Sequence, residues 1–228
     1  MAVRIYVLND NMPGPGLMSD WGLSLLVEVS GLRILFDSGP SPRIITENAR
    51  KLGVDLSRVD VFFLSHHHLD HSGGVDALPE GIPAYIPPGD LSRYSRLKAV
   101  EVRESREIAP GVLSTGPFEG DPTEQAMVIK SEGMIILLVG CSHPGIDVIA
   151  ERVSREHGRI SYLLGGFHRP SLGALRKALG LSDFASPMHC SGELARRYAS
   201  AVLKDRHIQL RTGSVVEVRD GAPHLIRP

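Results

Sequence analysis

The sequence predicts an α/β protein in which two β-sheets pack against each other and helices cover both outer faces. The first half of the chain is rich in short strand patterns, and the second half repeats them before strands and helices alternate. No internal repeat, low-complexity tract or Pro/Gly-rich linker divides the 228 residues. Because sheets and helices that bury one apolar face pack best as layers, we expect a single domain over residues 1–228.

Short runs of β-branched and aromatic residues, bounded by turn residues, predict the strands of the first half. Ser30 and Gly31 indicate a hairpin turn, and Pro42 and Gly53 mark the start and end of a helix. The expected elements are strands at 3–8, 24–29, 32–37, 59–64 and 84–86, a helix at 42–52, a short helix at 74–78, a helical or irregular excursion at 90–97, and a long loop at 9–20.

The second half begins with strands of poorly defined limits between residues 99 and 112 and a hairpin turned at 131–133. Apolar positions then alternate between strand and helix periods, which indicates β–α units. The expected elements are strands at 125–129, 134–139, 161–164 and 184–188, helices at 146–157, 172–179 and 192–203, and a last strand pair at 208–211 and 215–218.

The composition excludes several classes of protein. A formal net charge of −1 gives no support for binding to nucleic acid or to a membrane surface. No signal peptide is recognised, and no apolar run approaches the ~20 residues needed to span a bilayer, which predicts a cytoplasmic protein. Arginine outnumbers lysine 20 to 5, and asparagine and glutamine together number five. Scarce amides are typical of thermophiles, although high-GC coding explains the arginines equally well.

Residues 64–74 (Leu-Ser-His-His-His-Leu-Asp-His-Ser-Gly-Gly) predict a metal site at the end of a strand. On an extended loop, His66 and His68 point the same way and can share one cation. Asp70 and His71 follow the turn and can reach a second cation. His67 points away from its neighbours, so we expect it to pack against the site without binding metal. Imidazole and carboxylate ligands suit zinc first, and also manganese, iron or magnesium.

Three later histidines follow strands and glycines in the same way as this run. They are His143 in Gly-Cys-Ser-His-Pro-Gly, His168 in Gly-Gly-Phe-His, and His189 in Met-His-Cys-Ser-Gly. Since their strands would end at the same sheet edge, we expect His143 and His189 to be metal ligands. His168 is the candidate acid or base, and Asp70 is a second catalytic candidate. His157, His207 and His224 lack this context and are expected at the surface.

The two cysteines, Cys141 and Cys190, each lie beside one of these histidines. Two cysteines do not form a disulfide framework. Three roles remain open for them: small buried apolar residues, a disulfide of the kind found in hyperthermophiles, or a sulfur ligand supplied by Cys141.

Nearly the whole chain resembles the metallo-β-lactamase superfamily. The histidine run is similar to that family's signature, and residues 32–39 resemble its strand-Asp-x-Gly element, which implies that Asp37 supports the metals without binding them. The later histidine motifs, residues 124–126 and residues 20–24 resemble the branch that includes the dihydropterin–ribofuranosylaminobenzene 5′-phosphate synthases of methanopterin biosynthesis. The resemblance implies a four-layer αββα sandwich with metals at one edge of the sheets.

The chain departs from that family's pattern in two places. Cys141 stands where hydrolytic relatives have an aspartate that bridges both metals. Residues 119–125 contain no separate histidine, so the resemblance implies that His143 takes over its duty. These departures leave open whether the site holds one divalent metal ion or two.

Three functions are compatible with these residues. The branch resemblance implies a transferase that condenses a dihydropterin-methyl diphosphate with an aryl ribose 5′-phosphate and releases diphosphate. The alternative is a hydrolase of an ester, thioester, lactone or phosphodiester that uses metal-activated water. A non-catalytic binding module is disfavoured by the nearly complete ligand set. The expected partner is a small phosphorylated or diphosphate substrate, and nothing in the sequence indicates an oligomeric state.

Other residues could contact such a substrate. Tyr85, Tyr94 or Phe118 could stack on a flat ring, although each is more simply a core or loop aromatic. A basic group could hold phosphate or form a solvated face; it consists of Arg93, Arg96 and Lys98. The loop at 9–20 either covers the cleft or serves as a passive connector.

Overall fold

The computed structural model describes residues 2–228 and contains fourteen strands and five α-helices. The strands are β1 (Val3–Asn9), β2 (Ser24–Val29), β3 (Leu32–Phe36), β4 (Val61–Phe63), β5 (Pro83–Ile86), β6 (Lys98–Glu101), β7 (Arg106–Ala109), β8 (Val112–Ser114), β9 (Met127–Ser131), β10 (Met134–Val139), β11 (Ile160–Gly166), β12 (Ser182–Met188), β13 (Val215–Arg219) and β14 (Ala222–Arg227). The helices are α1 (Pro42–Leu52), α2 (Leu69–Ser72), α3 (Ile146–His157), α4 (Leu172–Gly180) and α5 (Gly192–Leu203).

The strands form two sheets. The first has eight strands in the order β14-β13-β1-β2-β3-β4-β5-β6, and the second has six in the order β12-β11-β10-β9-β8-β7. Strands β3 to β6 are parallel to one another, as are β10 to β12. Because parallel strands end at a common edge, the loops after β4, β10, β11 and β12 are placed where ligands bind in such sheets.

Three apolar clusters hold the layers together. One fills the space between the sheets and draws on both, for example through Ile34 and Ile136. A second lies between the outer face of the eight-stranded sheet and α1, and a third between the six-stranded sheet and helices α3 to α5. The predicted αββα sandwich is therefore confirmed, with the four longer helices α1, α3, α4 and α5 each burying one apolar stripe against a sheet.

Helix α1 shows how local sequence sets these elements. The hydroxyl oxygen of Ser41 accepts a hydrogen bond from the backbone N–H of Ile44, and Pro42 occupies the first turn. Gly53 ends the helix in the left-handed region at φ 73°. Ile45 and Ala49 lie one turn apart and are buried, so they attach the helix to the sheet.

The fold corrects one predicted strand and adds one strand that was not predicted. Residues 208–211 do not form a strand: Ile208 lies beside Ala185 of β12, and Thr212 and Gly213 then bond to the β1 side of the molecule. This segment crosses from one sheet to the other, so it lies beside no single strand with which it could form continuous backbone hydrogen bonds. β13 pairs instead with β1 and with β14, which the sequence analysis missed. The excursion at 90–97 contains only a 3₁₀ turn at Ser92–Tyr94.

No helix among residues 2–228 combines the length and the apolar character that crossing a lipid bilayer requires.

Candidate metal centre

All six predicted ligands meet at the carboxyl edge of the two sheets. The loop after β4 delivers His66 and His68, and α2 delivers Asp70 and His71. The six-stranded sheet supplies the other two, which are His143 after β10 and His189 after β12.

His66, His68 and His143 form the first triad, and one donor atom from each lies within 4.8 Å of the others. The rings of His66 and His143 are 4.6 Å apart, and those of His68 and His143 are 5.0 Å apart. The Nε2 atom of His66 is fully buried and has no hydrogen-bond partner among residues 2–228. A buried imidazole nitrogen without a partner is costly, unless a cation occupies the space it faces.

Asp70, His71 and His189 form the second triad, again with donor atoms within 4.8 Å of one another. The Nε2 atoms of the two histidines are 3.2 Å apart. The Oδ2 atom of Asp70 lies 3.3 Å from Nε2 of His189 and 3.6 Å from Nε2 of His71. The two triads adjoin, because the rings of His66 and His71 are 4.1 Å apart.

Asp37 and Ser65 fix the tautomers of two of these histidines. Ser65 donates its hydroxyl to Oδ2 of Asp37 at 2.7 Å, so its oxygen accepts from Nδ1–H of His66 at 2.9 Å. Asp37 Oδ2 also accepts from Nδ1–H of His71 at 2.6 Å. With the proton on Nδ1, each Nε2 presents a lone pair to the centre. Asp37 lies in the supporting position that the resemblance implied.

Glu124 and Asn11 fix the tautomers of the two predicted ligands from the six-stranded sheet, His143 and His189. Neither was predicted to have this role from the sequence. Glu124 is fully buried and accepts from Nδ1–H of His143 at 2.8 Å, while its other oxygen binds the backbone N–H of Cys141. Asn11 must present its amide oxygen, because it accepts from the backbone N–H of Gly22 at 3.0 Å. The same oxygen lies 2.9 Å from Nδ1 of His189 and accepts its proton.

These contacts leave four Nε2 atoms and one carboxylate facing one another. Burial and the neighbouring histidines hold the pKa of His66 well below its usual value, and burial lowers the pKa of His189 to about 4. Although burial opposes ionisation of Asp70, the adjacent His189 and His71 lower its pKa to about 2. Although burial opposes the charged form of His71, the carboxylate of Asp37 raises its pKa, so metal binding at this nitrogen would displace a proton. Imidazole and carboxylate donors that converge in this way fit a divalent metal ion.

Cys141 and Cys190 lie between the triads as free, buried thiols. Their Sγ atoms are 3.2 Å apart, and Sγ of Cys141 is also 3.2 Å from Nε2 of His71. Cys141 groups within 4.8 Å with His66 and His71, and in a separate set with His189 and Cys190. Its place between the triads is the one where the resemblance puts a bridging carboxylate in hydrolytic relatives.

His168 lies beside the first triad, and its exposed ring is 4.5 Å from the ring of His143. Burial of part of the ring and the neighbouring His143 lower its pKa, which keeps it neutral near pH 7. His67 points away from the donors, as expected. Its Nε2–H donates to the carbonyl of Pro87 at 3.0 Å, and its Nδ1 accepts from the hydroxyl of Tyr94 at 3.2 Å.

Several other candidates lie away from the centre. Tyr94 and Phe118 are buried, and Tyr85 packs against the inter-sheet core, so none of them offers a face to a substrate. Arg96 pairs with Glu80 at the surface.

The remaining basic and histidine candidates lie away from the donor atoms. The Nε–H of Arg93 donates to the carbonyl of Ser72, while Lys98 is exposed at the start of β6. His224 is exposed as predicted, whereas His157, the last residue of α3, and His207, which follows the 3₁₀ turn at Lys204–Arg206, are half-buried.

The loop between β1 and β2 lines the centre and is not a passive connector. Asp10 is buried, and its Oδ2 atom accepts the backbone N–H of His189 at 2.7 Å. Together with Asn11, it holds both the backbone and the ring of His189. Trp21, near the end of the same loop, places its ring 5.0 Å from the ring of His189.

Comparisons with known proteins agree with this architecture. The family model described as the metallo-beta-lactamase superfamily matches residues 22–160. The chain is 24% identical, over 94% of its length and 96% of the relative's, to 7,8-dihydropterin-6-methyl-4-(beta-D-ribofuranosyl)-aminobenzene-5'-phosphate synthase of Methanocaldococcus jannaschii.

Two solved structures extend the comparison. One is a metal-dependent hydrolase of the beta-lactamase superfamily, with a TM-score of 0.82 and 27% identity, matched over 96% of this chain and 100% of that one. The other is a diphosphatase of the PhnP family, with a TM-score of 0.63 and 16% identity over 96% of this chain and 98% of that one, and it supports the fold alone. Since the family model covers more than half of the sequence, the chain belongs to the metallo-beta-lactamase superfamily and is an enzyme of that fold.

Proposed function

We propose that this enzyme joins a dihydropterin-methyl diphosphate to an aryl ribose 5′-phosphate that carries an aromatic amine, with release of diphosphate. The observation that carries the proposal is the pair of adjoining triads, which could face the two phosphate groups of one diphosphate. The similarity to the Methanocaldococcus jannaschii synthase over nearly the whole of both chains supports this choice of substrates.

The proposed metal ligands are His66, His68 and His143 in the first triad, and Asp70, His71 and His189 in the second. Nitrogen donors, with a thiol between the triads, favour zinc over harder ions such as magnesium. Divalent ions bound there would supply Lewis-acid neutralisation of the charge that develops on the leaving diphosphate.

The bond changes require one proton acceptor. The carbon–oxygen bond between the pterin methylene and the diphosphate breaks, a carbon–nitrogen bond to the amine forms, and the amine loses a proton. His168 is neutral near pH 7 and exposed beside the first triad, so it can take up this proton by way of the departing diphosphate, which would lie between it and the amine. Asp70 stays ionised and holds the second triad by its contacts with His71 and His189.

A hydrolase is the second candidate, because the solved structure with a TM-score of 0.82 is described as a metal-dependent hydrolase. In that function, Asp70 would accept a hydrogen bond from the attacking water and orient it. The same centre would then act on an ester, thioester, lactone or phosphodiester.

The two candidates are separated by incubating metal-replete protein with the pterin diphosphate and the aryl phosphate. We expect equal amounts of released diphosphate and condensed product, measured by mass spectrometry. His68→Ala should lose metal by elemental analysis and lose the product, whereas the matched variant His67→Ala should keep most of its metal. Turnover of nitrophenyl phosphodiesters without any condensed product would contradict the synthase and favour the hydrolase.

A further inference from the structure

Aromatic rings form a continuous row through the centre. Successive ring centroids are separated by 5.0, 4.9, 4.1, 4.6 and 4.5 Å. The row consists of Trp21, His189, His71, His66, His143 and His168. Its two ends differ in chemistry, because one is an indole and the other is an exposed imidazole.

Hydrogen bonds hold the backbone on either side of Trp21, although the residue itself is 52% exposed. The side-chain amide of the buried Asn9 donates to the carbonyl of Asp20 at 3.1 Å and to that of Gly22 at 2.8 Å, on either side of the tryptophan. Gly22 has φ 148°, and a Cβ atom there would overlap the carbonyl oxygen of Asp70. The loop therefore closes onto Asp70 only with glycine at this position, and the backbone on either side of Trp21 holds the indole beside the ring of His189.

Leu69, the first residue of α2, is a second exposed apolar residue next to the second triad. It immediately precedes Asp70 and is 64% exposed, the most of any large apolar residue among residues 2–228. Contact of these two apolar side chains with water is unfavourable, so covering them with a ligand would stabilise the complex. The rim of the second triad therefore offers an apolar surface with a flat indole face.

The other end of the row is polar and cationic. Arg169 follows His168 directly, and both residues have positive φ angles, 45° and 47°. The backbone N–H of Arg169 donates to the carbonyl of Cys190 at 3.0 Å, which fixes this turn beside the centre. The guanidinium is exposed and forms no ion pair with any carboxylate in the described part of the chain.

We propose that the rim formed by Trp21 and Leu69 binds the flat heteroaromatic ring of the substrate, while Arg169 binds phosphate oxygens at the opposite end of the row. This inference rests on the proposed function and deepens it, since it gives the substrate one orientation across the two triads. The indole stacks on the ring, and Leu69 excludes water from its edge. Trp21 is then a positioning residue that selects planar substrates.

The chain has one tryptophan, so its intrinsic fluorescence reports on Trp21 alone. We expect 6-hydroxymethylpterin, a flat pterin without phosphate, to quench this fluorescence in metal-loaded protein. By calorimetry, Trp21→Ala should weaken pterin binding about tenfold, as removal of a stacking aromatic does, and Trp21→Phe should restore most of it. Leu225→Ala, which truncates an exposed leucine on β14, is the matched control and should bind like the wild type.

Inorganic diphosphate tests the other end of the row. Its affinity should be unchanged in Trp21→Ala and about fivefold weaker in Arg169→Ala, the loss expected for one charge-assisted contact. Pterin affinity that is equal in Trp21→Ala and Leu225→Ala, or absent from the wild type, would overturn the proposed orientation. Pterin binding that depends on Trp21, with no condensed product in the synthase assay, would reject the reaction and leave the ring site in place.

Discussion

At the scale of single residues, the centre depends on side chains that bind no metal themselves. Asp37, Ser65, Glu124 and Asn11 each fix the proton of a histidine on Nδ1. The opposite tautomer would place a proton where a lone pair is needed, so these partners set the affinity of the ligands. Asn11 stands out because it is a neutral amide, and only its contact with Gly22 determines which of its atoms faces His189.

Removing this acceptor should weaken metal binding at the second triad. We expect Asn11→Leu to lower zinc affinity about 10- to 100-fold, because the ring of His189 can then rotate and change tautomer. Competition with a chromophoric chelator measures this change.

The matched variant is Asn11→Asp, which keeps an oxygen facing both Gly22 and His189. Its zinc affinity should equal or exceed that of the wild type, because a carboxylate accepts the imidazole proton more strongly. Equal losses in the two variants would show that Asn11 acts only through packing.

The sequence could predict which donor residues meet at the centre but not these partners, for a physical reason. Five donor-type residues within 66–71 create a local pattern that few other structures require. Asn11 and His189, in contrast, are 178 positions apart and meet only in the folded chain. A buried Glu124 before a strand likewise carries no local sign that it will hold His143.

At the scale of elements, the position of the loops depends on how closely β10 and β11 approach each other. Gly165 pairs with Val139 at the end of both strands and has φ 126°. A Cβ atom there would overlap the carbonyl oxygen of Val139. The two loops that carry His143 and His168 therefore emerge side by side because this position is glycine.

Gly165→Ala should separate the two strand ends. We expect the free energy of unfolding of the metal-loaded protein to fall by more than about 2 kcal/mol, since both the φ angle and the contact are lost. Urea denaturation followed by far-ultraviolet circular dichroism measures it.

Gly180→Ala at the end of α4 is the control, because no atom lies within 4 Å of the added Cβ. It should change stability by less than about 1 kcal/mol, in the stabilising direction. A Gly165→Ala protein as stable as this control would show that the strands can separate without cost.

The sequence pattern within an element was sufficient to predict most strands and helices. The remaining segments could be predicted only with knowledge of the strand that pairs with them. Residues 208–211 alternate like a strand, yet they pass between β12 and β1 and find only isolated contacts. β14 has four exposed residues in succession, from His224 to Arg227, so its alternation is weak although it pairs with β13 along its length, with one register shift near Val215. Hydrogen bonding to β13 therefore makes residues 222–227 a strand, although their own sequence pattern does not predict one.

At the scale of the whole molecule, the stability of the fold depends on pH, because the centre buries two histidines, His66 and His189, whose pKa values are lowered. The pKa of His189 falls to about 4 from an ordinary value of 6.5, mainly because of burial. Between these two values the unfolded chain binds a proton that the folded chain does not. Through His189 and His66, stability therefore falls as the pH falls through this window, whereas His71, whose pKa is raised by Asp37 against the effect of burial, acts in the opposite direction.

Metal-free protein should lose up to about 3 kcal/mol of stability through His189 alone between pH 6.5 and pH 4. Urea denaturation at steps across this range measures the slope. His189→Asn keeps a donor for Asn11 but cannot be charged, so its slope should be shallower than that of the wild type. Identical slopes for the two proteins would mean that His189 is not the group that titrates.

Each triad takes two donors from the eight-stranded sheet and one from the six-stranded sheet. A chain in which only one sheet has formed can therefore offer at most two donors to any cation at either triad. An ion bound by a complete triad would crosslink the two layers, so its uptake comes after they have docked. Tight binding would then distinguish finished molecules from half-assembled ones, and a weak chelator should remove metal from the latter first.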